Sequence, residues 1–140
     1  MQTKMMLGHS DATQIIAAAE AKAVQNDWAV TIAVVDDGGH LLHLARLDGA
    51  PLISLHLATE KARTSALGRR ESKRYEDMVN EGRISFLSVT PLTSIEGGVP
   101  LTFKGQIVGA IGVSGVKSDQ DAAVAMAGAI WLAKQEGTSF

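Results

Sequence analysis

Along the chain the apolar positions change period several times, and each change marks an element. Ile15, Ile16, Ala19, Ala23 and Val24 recur at helical spacing. Ser10 and Asp11 just before them predict an N-cap and an acidic first turn. From Trp28 to Asp36 the pattern becomes β-branched and apolar on both alternating faces, which predicts a central strand covered on both sides. Asp36-Asp37-Gly38-Gly39-His40 carries the Asp-Gly signal of a hairpin, so His40 to Leu47 should return antiparallel. Asp48-Gly49-Ala50-Pro51 ends that strand and leads to a helix from about Leu52 to Leu67. One face of that helix carries Leu55, Ala58, Ala62, Ser65 and Ala66, mostly small, which predicts close approach of its axis to a neighbour. A shorter amphipathic helix follows, with Tyr75, Met78 and Val79 on its apolar side. Arg83 to Val99 reads as strand or loop. Lys104-Gly105 joins Leu101–Phe103 to Gln106–Val113 as a second hairpin, and Ser118 opens an Ala-rich helix to about Gln135, with Asp121 three residues on.

The predicted order is therefore α-β-β-α-α-β-β-β-α, with hairpins in place of βαβ crossovers. The fold class this predicts is α/β in the α+β sense, an antiparallel sheet with helices on both faces. Residues 1–140 show no linker or repeat, and one domain is expected at this length. With 46% apolar but only 4% aromatic residues, the core must come from Ala, Val, Ile and Leu. Cys is absent, which excludes a disulfide framework, thiolate metal sites and a cysteine nucleophile. A net charge of -2 gives no field that would draw nucleic acid or an anionic membrane. The apolar runs fall far short of the roughly 20 residues a bilayer span needs. The start, MQTKMMLGHSDATQ, has no apolar leader segment. A cytoplasmic protein is expected.

Glycine and histidine carry most of the candidate chemistry. Gly109, Gly112 and Gly115 are spaced by three, which matches neither the dinucleotide fingerprint nor a P-loop. Gly109 and Gly112 are expected to make room for a packed helix, and Gly115 to turn the chain toward a helix N-terminus, a geometry that can also attract anions. Gly97-Gly98-Val99-Pro100 reads as an irregular exposed segment lining a pocket, or as a plain turn before an edge strand. His40 and His43 are three apart on one strand, so they face opposite ways and cannot chelate one ion together. His56 and Glu60 sit at i, i+4 on a helix, a spacing that suits either a shared metal or a surface ion pair. His9 precedes the first helix and is free to reach a bound group. Arg69, Arg70, Lys73 and Arg74, interleaved with Glu71, Glu76 and Asp77, read as a solvated helix face.

Four stretches, Val34–Ala50 (VVDDGGHLLHLARLDGA), Ala58–Ala66 (ATEKARTSA), Gly97–Leu101 (GGVPL) and Gly105–Gly115 (GQIVGAIGVSG), together resemble the GlcG/HbpS-like domain family, which includes the C-terminal domain of PduO-type proteins. The resemblance spans nearly the whole chain, with the motifs in the family's order. It implies a five-stranded antiparallel sheet with helices on both faces, of the profilin and PAS-like class, and a homo-oligomer, dimer or higher. It also implies a tetrapyrrole ligand, haem or its iron, and a role in haem or iron handling. Haem needs an axial ligand, usually His. His9 is the first candidate, with His56 and Glu60 as further iron ligands. Glu60 and Lys61 match the family's helix motif, and Arg46 its R-x-D-G. Leu42, Leu44 and Val99 would wall the ligand, and Arg46 and Lys61 would meet its propionates. A rival reading is a small catabolic enzyme or accessory protein for an organic acid. Arg46 and Lys61 would then grip the carboxylate, with His43 or Glu60 as general base. A third reading is a structural oligomer without ligand.

Overall fold

Two hairpins make the sheet, and their turns explain why. The computed structural model describes residues 1–137. In the first hairpin, β1 (Thr31–Asp36) and β2 (Leu41–Arg46) are joined by a turn that Asp36 organises. Its carboxylate accepts the backbone N–H groups of Gly38 and His40, each at 2.9 Å. Burial pushes this carboxyl up, but those two N–H groups and the His40 ring outweigh it and hold Asp36 below its ordinary value. In the second hairpin, β3 (Gly98–Phe103) and β4 (Gln106–Ser114) are joined by Lys104 and Gly105, both left-handed at φ 48° and 76°. Two consecutive positive φ values match the right-handed twist of the strands. The hairpins pair through β1 and β4, giving the antiparallel order β2-β1-β4-β3.

Because β1 and β4 are central, both their faces are covered. Ile32, Val34, Ile111 and Val113 point to one side, where α1 (His9–Gln25) and α4 (Ser118–Ala133) pack Ile15, Ile16, Val124 and Ala125 against them. Val35 and Ala110 point to the other side, against Ala62 and Ala66 of α2 (Ser54–Gly68). The small-residue face of α2 does what its composition predicts. A Cβ on Gly112 would run into the Ala58 carbonyl and sit 2.9 Å from the Ala62 methyl, so helix and strand are in backbone contact. Gly109 is similarly closed, against the Val35 carbonyl and the Leu7 side chain. The antiparallel sheet with four helices, on both of its faces, agrees with the sequence reading.

Three expectations change. Gly8, not Ser10, caps α1, and the Asp11 carboxylate takes its N–H at 2.7 Å. Lys117 precedes α4, and Asp121 reaches back to the Val116 N–H at 3.1 Å. The sheet has four strands among the described residues, not five. After α3 (Lys73–Asn80) the chain forms a 3₁₀ turn, Ile84–Ser88, and then loops back to β3. No strand can add there easily. Ser72 already exchanges hydrogen bonds with Gly98, donating its N–H to the Gly98 carbonyl (3.0 Å) and accepting Gly98 N–H on its hydroxyl (2.8 Å). Pro100 has no N–H to offer.

Candidate functional site

Chain entry into α1 and the bulge in β2 bring two histidines together. The β1–β2 register shifts between Val34 and Val35, and His43 pairs with Val34 on the α1 side of the sheet. His9, the first residue of α1, meets it edge to face, with ring centroids 5.5 Å apart and planes at 88°. His9 is exposed and His43 half-buried. His40 lies apart from this pair, before β2, its Nδ1 3.2 Å from Asp36.

The other candidate ligands are placed differently from the sequence reading. His56 is exposed on α2, but Glu60 turns to Arg63, whose Nη1 lies 2.6 Å from it. Among the described residues no group of three or more His, Asp or Glu could hold a metal, so the His56–Glu60 pair lacks a third ligand. Lys61 is not a surface cation. Its side chain is 2% exposed, and Nζ donates to the Val113 carbonyl (3.0 Å) and to Asp121 (3.2 Å). Burial pushes the Asp121 carboxyl up, while Lys61 and the N–H groups of Val116 and Gly115 pull it back down; burial prevails. Lys61 thus ties α2 to the first turn of α4, leaving it no opening to a ligand.

Gly97 to Pro100 is likewise not an exposed loop. Gly97, Gly98 and Val99 are buried. Gly97, at φ 135°, has the Lys61 Nζ 2.9 Å from where a Cβ would stand, and a Cβ on Gly98 would overlap the Lys61 carbonyl. These glycines let the start of β3 lie against α2. Leu42 and Leu44 are on β2 and Val99 on β3, at opposite edges of the sheet, so they cannot wall one pocket. Arg46 is exposed at the end of β2.

Sequence reasoning missed a cleft along the β3 edge. Its volume is about 500 Å³, and Arg69, Arg70 and Arg74 line one side of it. The other side is α4, and the floor includes Pro100 and Thr102. The arginines do not share one helix face, because α2 ends at Gly68 and Arg69 is left-handed at φ 56°. Gly68 was the available signal for that break. No helix among the described residues is long and apolar enough to cross a membrane.

Residues 7–130 match the model of the family described as haem degrading protein HbpS-like. The chain is 55% identical over 114 residues to protein GlcG of Escherichia coli strain K12, covering 81% of this chain and 85% of that one. Its fold is similar to the crystal structure of HbpS, at 31% identity and a TM-score of 0.86 over 94% of each chain. It is also similar to PduOC in complex with haem, at 27% identity and a TM-score of 0.80, covering 90% of this chain and 94% of that one.

Proposed function

From the premise that the chain belongs to the HbpS-like family, we propose that it binds haem or a related iron tetrapyrrole, with His9 as the axial ligand. The observation that carries this is an exposed imidazole at the start of α1, with a second imidazole, His43, packed against it. A neutral histidine is the usual protein ligand to haem iron, and a neighbouring ring can fix its orientation. The family description and the haem complex of a relative with this fold support the same reading. Bound haem would supply the iron chemistry, while the chain supplies the imidazole and the surface around it. Arg46 lies at the exposed end of the strand that carries His43 but, paired with Thr31, on the other face of the sheet, so neither it nor Lys61, buried on Asp121, is kept for a propionate.

Titration of the apo-protein with haemin is expected to give a shifted Soret band. His9→Ala should weaken binding roughly tenfold or more, the equivalent of about 1.4 kcal/mol. No shifted band would remove the haem reading, and a band identical in His9→Ala would remove that ligand. We also propose that the chain self-associates. Leu52, Ile53 and Leu55 are exposed by 81%, 64% and 44% where the chain enters α2, an apolar patch of the kind that subunit contacts cover. Light scattering on a sizing column should show an oligomer that Leu52→Lys with Ile53→Lys reduces to smaller particles. An unchanged mass would clear this face of the contact.

A further inference from the structure

The β3-edge cleft is charged at one side and apolar at the other, and that asymmetry selects a ligand. Three guanidinium groups, Arg69, Arg70 and Arg74, stand against one carboxylate, Glu71, so the lining side chains carry a net charge of two positive. Two of the three are held in place by backbone carbonyls, and Arg69 Nη2 also lies 3.9 Å from the Asp37 carboxylate, which leaves Arg70 and Arg74 as the freer cations. Arg69 Nη1 donates to the carbonyls of Asp37 (2.6 Å) and Ala66 (2.8 Å). Arg70 Nε donates to the Gly68 carbonyl (3.2 Å), and its guanidinium lies 5.6 Å over the Tyr75 ring. A guanidinium has five donors, and these bonds engage Arg70 only through Nε, which leaves its two-pronged Nη end for an anion. Such anchoring lowers the entropy lost when a ligand is gripped.

Opposite them, Met126 and Ile130 of α4 are 36% and 47% exposed at i, i+4, with Ala129 between them. A lone anion such as phosphate would leave this wall wet, and an uncharged apolar molecule would leave the arginines unused. The volume of about 500 Å³ falls in the range typical of small-molecule sites. We propose that this cleft binds an amphipathic carboxylate, its carboxyl group on Arg70 and Arg74 and a short acyl or aryl body against Ile130, Met126 and Pro100. The site lies at the β3 edge, across the sheet from His9 and His43 near β2, so it stands whether or not haem binds there.

Sodium hexanoate is a suitable probe, with hexanol and acetate each carrying half of the recognised chemistry. Titration of the full ¹⁵N-labelled chain should move the amide signals of Thr102, Arg74 and Ile130 saturably with hexanoate. Hexanol and acetate should bind roughly tenfold more weakly, and Arg74→Gln should weaken hexanoate by a similar factor. Arg70→Gln provides a second variant, with the Ile130 signal reporting that α4 remains in place. The proposal is overturned if hexanol binds as tightly as hexanoate, if the shifted signals lie away from the cleft, or if neither arginine variant weakens binding. Displacement of hexanoate by one equivalent of haemin, with Thr102 and Ile130 losing their shifts, would assign the cleft to the tetrapyrrole and overturn it equally.

Discussion

Gly98→Ala is expected to lower the stability of the fold by about 3 kcal/mol, the upper end of ordinary overpacking. The added Cβ would stand inside the Lys61 carbonyl oxygen and 3.1 Å from the Ser72 hydroxyl. Neither obstacle is the free end of a flexible side chain. The carbonyl belongs to the middle of α2, and the hydroxyl accepts the Gly98 N–H while donating to the Ile95 carbonyl. Relief would require α2 to move off the sheet, which Gly112, in backbone contact with Ala58 and Ala62, opposes from the next strand. Urea unfolding reads the effect directly. A Gly98→Ala protein with an unchanged midpoint would show that β3 is not pressed against α2. On the sequence alone Gly98 belongs to an exposed segment that lines a pocket or makes a plain turn, whereas in the fold it is buried against α2.

Lys61→Met should cost about 3–5 kcal/mol at neutral pH, the loss typical when one partner of a buried ion pair is removed. The methyl thioether fills much of the same volume, so the cost comes mainly from Asp121, whose carboxylate is left buried with only backbone donors. The pH dependence follows from the direction of its shift. Burial already raises Asp121 above its ordinary 3.8 in the folded protein, with Lys61 opposing. A raised folded value means the native state holds this proton more tightly than the unfolded chain does. The stability linked to Asp121 is therefore present below the ordinary value and lost as pH rises through the raised one. Without Lys61 the shift grows, so the deficit of Lys61→Met should be smaller at about pH 4.5 than at about pH 7. Adding Asp121→Asn should recover part of the neutral-pH loss, because an amide needs no counter-charge. Thermal unfolding of the parent protein and the two variants across that range is the measurement. A deficit that grows on acidification would contradict the assignment.

The parts of the fold that were legible in the sequence depend on short-range chemistry. Asp36 to His40 and Lys104-Gly105 specify their turns within a few residues, and the apolar run of β1 announces burial on both faces. The small stripe of α2 announced a close approach, and Gly112 proved to be the strand side of that contact, whereas Gly109 is closed by the Val35 carbonyl of the neighbouring strand and by Leu7 rather than by a helix. What was not legible joins distant segments. Lys61 meets Asp121 60 residues away, so nothing local distinguished a buried tie from a surface cation. Gly97 and Gly98 resemble a loop by composition because the reason for them lies in α2. His9 and His43 were each visible, but their contact depends on where α1 enters and how β2 bulges. The basic run after Gly68 reads as one helix face from its charge pattern alone, but α2 ends at Gly68 and Arg69 turns left-handed, which splits the run.

The exchange between Ser72 and Gly98 also gives the sheet a handed boundary. At the β3 side the first backbone groups are already satisfied within the chain, and Pro100 interrupts the row of donors that follows. At the β2 side no such cover exists among the described strands: β2 is the terminal strand of the order, with Leu41 and Arg46 exposed at its two ends. Any extension of the sheet by main-chain pairing is thereby directed to β2, where the exposed charge of Arg46 sits as a gatekeeper against indiscriminate strand addition. A molecule built this way would lengthen its sheet more readily at β2 than at β3.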